Sequence, residues 1–175
     1  MKGGDGVKTK KLVLLALLTA IALTVFMIEA QIPSPVPVPG VKLGLANIVT
    51  VFAVFAIGPR EGAAVLFCRV FLGAVFAGNF STIFYSAAGG LLSILTTVAL
   101  KRIVTRKQLW VVGALAAIAH SVGQMAAAIA ISGTPELAVY LPVMIVVSII
   151  TGLFTGLCAQ FLLNRGDKLW KTTFR

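Results

Sequence analysis

Arg69 lies inside an apolar run, 63–77. A cation at that depth of a bilayer costs at least ~2.5–3.5 kcal/mol on insertion scales, so a guanidinium kept there faces a partner or a polar cavity. Other polar side chains interrupt the remaining apolar stretches: Glu29, Asn47, Tyr85, Ser86, His120 and Gln124, with Lys42 just before one of them. His120 and Gln124 are four apart and share a helix face. A guanidinium forks onto a carboxylate or phosphate, and imidazole, amide and hydroxyl groups donate and accept hydrogen bonds. The chemistry this set supports is recognition of a small polar or anionic solute. A metal is disfavoured, because the single histidine has no Cys/His/Asp cluster around it.

These groups are set in an unusually apolar chain. Of 175 residues, 59% are hydrophobic and 11% charged, and the mean hydropathy is +1.03. A soluble domain needs more polar surface than that to cover its core, so the reading is an all-α integral membrane protein of one domain, 1–175. The net charge of +10 would fit nucleic acid, but its placement argues otherwise. The cations gather at Lys2, Lys8, Lys10 and Lys11, at Lys101, Arg102, Arg106 and Lys107, and at Arg165, Lys168, Lys171 and Arg175. That clustering marks cytoplasmic segments, where Lys and Arg set topology, and it is compatible with contact to anionic membrane lipid. Cys68 and Cys158 lie in apolar runs without metal-ligand spacing and read as packing residues. The first apolar run is too long for a signal-peptide core and reads as a retained helix.

A spanning helix needs about 20 apolar residues. Six runs are expected as helices: 12–32, 43–57, 62–77, 80–100, 109–131 and 137–163. The alternating prolines Pro33, Pro35, Pro37 and Pro39 enforce a stiff extended loop between the first two. Runs two and three are short and could be one re-entrant pair. With the N-terminus, the segment 101–107 and the C-terminus all cytoplasmic, the crossings between them must be even in number, which either six or four spans satisfies. Arg60 at the turn between runs two and three favours a cytoplasmic turn, hence six.

At 1.5 Å of rise per residue, this topology puts Glu29 near the outer end of run one and Asn47 about one turn below the outer surface. Arg69 and His120 fall near mid-depth, Gln124 one turn further out, and Tyr85 and Ser86 about 8 Å below the outer start of run four. The coincidence of depth describes a cavity opening outward, with Lys42 at its mouth. Each residue also has a purely structural reading. Arg69 could pair with Glu29, His120, Gln124 and Asn47 could be interhelical glue, and Ser86 could simply pack. Small residues form a second pattern. Ala16 and Ala20, one turn apart on the first helix, could be an external docking face, whereas Gly152 and Gly156 read as internal packing.

The segment Pro39-Gly40-Val41-Lys42-Leu43-Gly44-Leu45-Ala46-Asn47, together with Arg69, Gly89-Gly90 and Ala119-His120-Ser121-Val122-Gly123-Gln124, resembles the Gx transporter family. Those proteins are also labelled heptaprenyl diphosphate synthase component I and look like S components of energy-coupling factor (ECF) transporters. The resemblance implies a six-helix S-component bundle with an outward ligand pocket and the loop between helices one and two as a lid. It also implies docking through Ala16 and Ala20 on a transmembrane coupling subunit that carries two cytoplasmic ATPases. No P-loop occurs in this chain, which agrees with ATP hydrolysis in a partner.

The expected function is therefore that of a non-enzymatic, multi-pass substrate-binding subunit in a prokaryotic cell membrane. Its solute would be a vitamin, a cofactor precursor or a quinone- or isoprenoid-related compound. Substrate contacts are expected from Arg69, His120, Gln124, Asn47, Lys42, Ser86, Tyr85 and Glu29, with no cofactor, no metal and no nucleic acid. Two alternatives stay open: a solitary gradient-driven transporter using His120 and Glu29 as a proton relay, and a non-catalytic membrane subunit associated with polyprenyl diphosphate or quinone synthesis. Synthase chemistry itself is not expected, since Mg²⁺–diphosphate sites use clustered carboxylates. The five acids here, Asp5, Glu29, Glu61, Glu136 and Asp167, are scattered.

Overall fold

The computed structural model describes residues 3–32, 42–78 and 80–173, with side chains over 9–32, 42–78 and 80–166. The proline-rich segment 33–41, for which a lid role is expected, and Asn79 lie outside the described residues. Six α-helices follow one another: α1 (Gly3–Glu29), α2 (Asn47–Ala56), α3 (Pro59–Ala77), α4 (Ser81–Lys101), α5 (Leu109–Ser132) and α6 (Leu141–Thr173). Two short 3₁₀ turns precede α5 and α6, and no strand occurs among the described residues. Large apolar side chains such as Leu12, Phe67, Phe84, Ile150 and Phe161 are exposed all round the bundle. Helices α1, α4, α5 and α6 are long and apolar enough to cross a membrane. This is a multi-pass membrane protein.

Helix α2 differs from an ordinary span. Its 10 residues rise only about 15 Å, half of a hydrocarbon core of about 30 Å, and eight of them, Asn47 and Val49 through Phe55, are buried. It touches each of the other five helices. The apolar run at 43–57 thus forms a central plug rather than a lipid-facing helix. An apolar stretch buried on all sides and one facing lipid have the same composition, so hydropathy alone does not separate them.

The helix boundaries show the same local logic. The expected start of the second helix at residue 43 moves to Asn47, because Gly44 takes the left-handed conformation at φ 79°, a region that glycine enters without strain. Helix α1 ends at Glu29 rather than 32. There the amides of Gln31 and Ile32 bond the carbonyls of Ile28 and Glu29 at 3.0 and 3.1 Å, tightening the last turn. Helix α6 starts at Leu141, with Pro142 in its first turn, where a missing N–H costs no helical bond.

Glycines set how closely the long helices approach. A Cβ on Gly152 would lie 2.7 Å from Ala114 Cα, and one on Gly123 would lie 2.8 Å from Gly89 Cα. Hence α5 lies backbone to backbone against α6 on one side and α4 on the other. The polar end of the bundle is held by lysines. Lys11 of α1 pairs with Glu61 of α3, and Lys101 at the end of α4 donates to the Val54 carbonyl near the C-terminus of α2 at 2.5 Å, where a cation meets the negative end of the helix dipole. Lys101 is also within electrostatic range of Glu61 and Arg106. The start of α1, the α2–α3 turn and the α4–α5 connection therefore share one basic end.

Candidate functional site

Arg69 falls on the inward stripe of α3, which reads Gly62, Val65, Leu66, Arg69, Val70 and Gly73 at helical spacing. Its side chain is buried among the helices. His120 and Gln124 lie on the inward face of α5, Asn47 opens α2, and Glu29 closes α1. All five are at most 4% exposed, although they come from four different helices. Arg69 is within electrostatic range of both Glu29 and His120, and Lys42 is within range of Glu29 and Arg69.

The short segment from Lys42 to Ala46 ties these groups together. Both Glu29 carboxylate oxygens accept backbone N–H bonds, Oε1 from Gly44 at 2.5 Å and Oε2 from Ala46 at 3.4 Å. The amide of Lys42 donates to Gln124 Oε1 at 3.3 Å, and Thr151 Oγ1 of α6, which donates within its own helix to the Val147 carbonyl at 3.1 Å, also approaches the Leu43 carbonyl at 3.5 Å. Gly44 presses against the His120 ring: a Cβ there would lie 3.1 Å from Cδ2, and 3.6 Å from both His120 Nε2 and Asn47 Nδ2. His120 and Asn47 thus flank one face of Gly44. The Lys42 ammonium rests 3.4 Å from the centroid of the Phe26 ring, a cation–π contact. Partial burial pushes that ammonium below its usual 10.5, and Glu29 opposes the shift.

Several polar atoms in this buried cluster have no hydrogen-bond partner among the described residues. They are Arg69 Nε and Nη2, Asn47 Nδ2 and Oδ1, and His120 Nδ1; Thr50 Oγ1, one turn along α2 from Asn47, is another. Buried polar atoms are nearly always satisfied, so a group of them around one cation marks a place built to receive hydrogen-bonding atoms. Arg69 and Glu29 are not hydrogen-bonded to each other; their interaction is through space.

Of the residues singled out from sequence, Arg69, His120, Gln124, Asn47, Lys42 and Glu29 are brought to this one region. Ser86 is buried on the inward face of α4, one turn before Gly89, whose Cβ position lies 2.9 Å from His120 Cε1 and 2.8 Å from Gln124 Cγ. Tyr85 instead packs at half-burial against the Met125, Ala128 and Met144 cluster of α5 and α6. Ala16 and Ala20 are exposed on α1 and line an apolar groove between α1 and α3 of about 490 Å³, whose rim includes Cys68. Two residues at the Lys42–Ala46 segment had not been singled out, Phe26 and Thr151. The Phe26 and Thr151 contacts span long separations in sequence. Among the described residues no group of three or more His, Cys, Asp or Glu side chains could hold a metal.

Compared with known proteins, the chain matches the family model described as heptaprenyl diphosphate synthase component I over residues 18–162. The chain belongs to that family. It is the family also labelled the Gx transporter family, and the matched region runs from within α1 to within α6, covering every residue of the buried polar cluster. No curated protein and no solved structure matches the chain.

Proposed function

We propose that this member of the family is a non-catalytic solute-binding membrane subunit, an S component of an ECF-type importer. In this reading the chain crosses the membrane six times with both termini in the cytoplasm, the second crossing being made by the short α2 together with the non-helical segment 42–46 that leads into it. The basic end shared by α1, the α2–α3 turn and the α4–α5 connection supports that orientation. The observation that carries the proposal is Arg69, a buried guanidinium with Nε and Nη2 unpartnered, in electrostatic range of His120, which lies with the unpartnered Asn47 amide against Gly44. Arg69 would take the anionic group of a small organic solute, and Asn47, His120 and Gln124 would fix its polar edge. The solute would be a vitamin, a cofactor precursor or a quinone- or isoprenoid-related compound. Ala16 and Ala20 would present the α1 face to a transmembrane coupling subunit carrying two cytoplasmic ATPases, in a prokaryotic cell membrane.

The scattered acids support a non-catalytic role. Both oxygens of Glu29 are taken by backbone amides, and Glu61 is paired with Lys11. Neither is placed as one of the clustered carboxylates that hold Mg²⁺ on a diphosphate. The family's description favours a second reading, a non-catalytic membrane subunit of polyprenyl diphosphate synthesis. Affinity purification separates the two, by recovery of an ATPase module or of a soluble synthase.

Uptake by cells carrying Arg69→Ala tests the site. Loss of the charged fork should weaken binding by roughly a hundredfold or more; because truncating a side chain that is only 3% exposed also leaves a cavity, uptake is compared at equal amounts of folded, monodisperse protein. Normal uptake by this variant would refute the assignment.

A further inference from the structure

Resting on the solute-binding reading above, we infer that the ligand is a small monocarboxylate whose carboxylate sits beside an amide-like or heteroaromatic donor–acceptor edge, and that a prenyl diphosphate is not the ligand. The first reason is the edge that Arg69 offers. Its unpartnered nitrogens are Nε and Nη2, the side-on pair whose two N–H bonds run parallel and match the two oxygens of one carboxylate.

Charge is the second reason. The charged groups within electrostatic range of one another are Arg69, Lys42 and Glu29, which leaves one positive charge in excess. Both oxygens of Glu29 accept backbone N–H bonds, from Gly44 and Ala46, which favours its ionised form. A single carboxylate closes the balance. A diphosphate would bring two or three negative charges into a region with one unmatched cation, and uncompensated buried charge is strongly unfavourable. The usual remedy, Mg²⁺ bridging carboxylates and phosphate oxygens, has no cluster of acids to use among the described residues.

Third, Asn47 leaves both a donor, Nδ2, and an acceptor, Oδ1, unpartnered, and His120 Nδ1 is unpartnered as well. Against Gly44 it is the Cδ2–Nε2 edge of His120 that lies with Asn47 Nδ2, so Nδ1 is on the other edge of the ring and the adjacent donor and acceptor are those of Asn47. A carboxamide satisfies a partner that itself presents a donor next to an acceptor, such as a lactam, a ureide or an azine with an adjacent N–H. A bare fatty acid would leave these groups buried and unsatisfied, and such mismatches are selected against strongly. Glu29 then is not a ligand-contacting residue but positions the segment that carries Gly44 and leads into Asn47.

The test uses the purified full chain in lipid nanodiscs and a fixed set of probes. These are orotate and pyrazine-2-carboxylate, their uncharged counterparts uracil and pyrazinamide, and pyrophosphate and isopentenyl diphosphate. Equilibrium titration should show at least one carboxylate binding about tenfold or more tightly than its uncharged counterpart and than either diphosphate. Arg69→Lys, which keeps the charge and loses the fork, should weaken that probe about tenfold or more, and Asn47→Leu should do the same. Tighter binding of a diphosphate, lost in Arg69→Lys, would overturn the monocarboxylate class and leave the solute-binding reading standing. Binding of any probe that Arg69→Lys leaves unchanged would overturn both. No binding by either carboxylate would overturn the class assigned here, and the effect of Arg69→Ala on cellular uptake would then judge the broader reading on its own.

Discussion

The Glu29 carboxylate accepts the backbone N–H of Gly44 at 2.5 Å, joining the last residue of α1 to a left-handed glycine 15 positions later. The contact does for the start of α2 what a capping side chain does within one helix. It places an acceptor on amides that would otherwise be buried and unsatisfied. Through it, α1 dictates where Asn47 begins its helix, and hence where its amide sits relative to His120.

Glu29→Gln retains the shape but turns one acceptor into an NH₂ group facing an amide donor. The expected cost is about 1–3 kcal/mol of stability, seen as a lower melting temperature. Hydrogen exchange should quicken at residues 42–46 and stay slow in the middle of α5. Unchanged protection at 44 and 46 would contradict the anchoring role.

Close approach of α5 to α6 depends on the absence of side chains. A Cβ on Gly152 would meet Gly113 O at 2.6 Å and Ala114 Cα at 2.7 Å, both backbone atoms that cannot swing aside. Gly152→Ala should therefore cost about 1–3 kcal/mol and reduce the yield of monodisperse protein in detergent. Gly89→Ala would intrude on His120 and Gln124 and should weaken ligand binding more than it lowers stability.

At the basic end, the hydrogen bond from Lys11 holds the Glu61 carboxyl below its ordinary 4.5. A depressed folded-state value means the pair stabilises the fold above the ordinary carboxylate range and loses that contribution as pH falls through the lowered value. Acid should thus loosen the tie between α1 and α3. In Glu61→Gln the acid limb of the stability–pH profile should flatten, and the sensitivity of that limb to salt should diminish. An identical acid limb in the variant would show that the pair contributes nothing.

Under the proposed function, the exposed α1 face is where coupling can be separated from binding. Ala20→Phe fills part of the exposed groove it shares with Leu23 and Cys68, whereas Arg69 lies on the buried, inward stripe of α3. Under the proposed function, uptake with the partner module should fall about tenfold or more, with the affinity of the isolated chain for its solute unchanged. Equal loss of solute affinity would place Ala20 in the fold or the site rather than at a docking face.

Much of this protein could be read from its residues in order. An apolar chain with its cations in three clusters belongs in a membrane, because hydrophobic transfer and the asymmetry of Lys and Arg act on composition and position alone. The inward direction of Arg69, His120 and Gln124 also followed, since a polar group at that depth is too costly to face lipid. Tertiary structure decided the rest. Only contacts across the bundle turn the second apolar run into a short central plug, send Tyr85 into a methionine cluster, and give the Glu29 oxygens to the amides of Gly44 and Ala46. Hydropathy and spacing record the cost of moving each side chain out of water. They do not record which donor, many residues away, a buried acceptor will meet, and that pairing distinguishes a group that holds the site in place from one that touches its ligand.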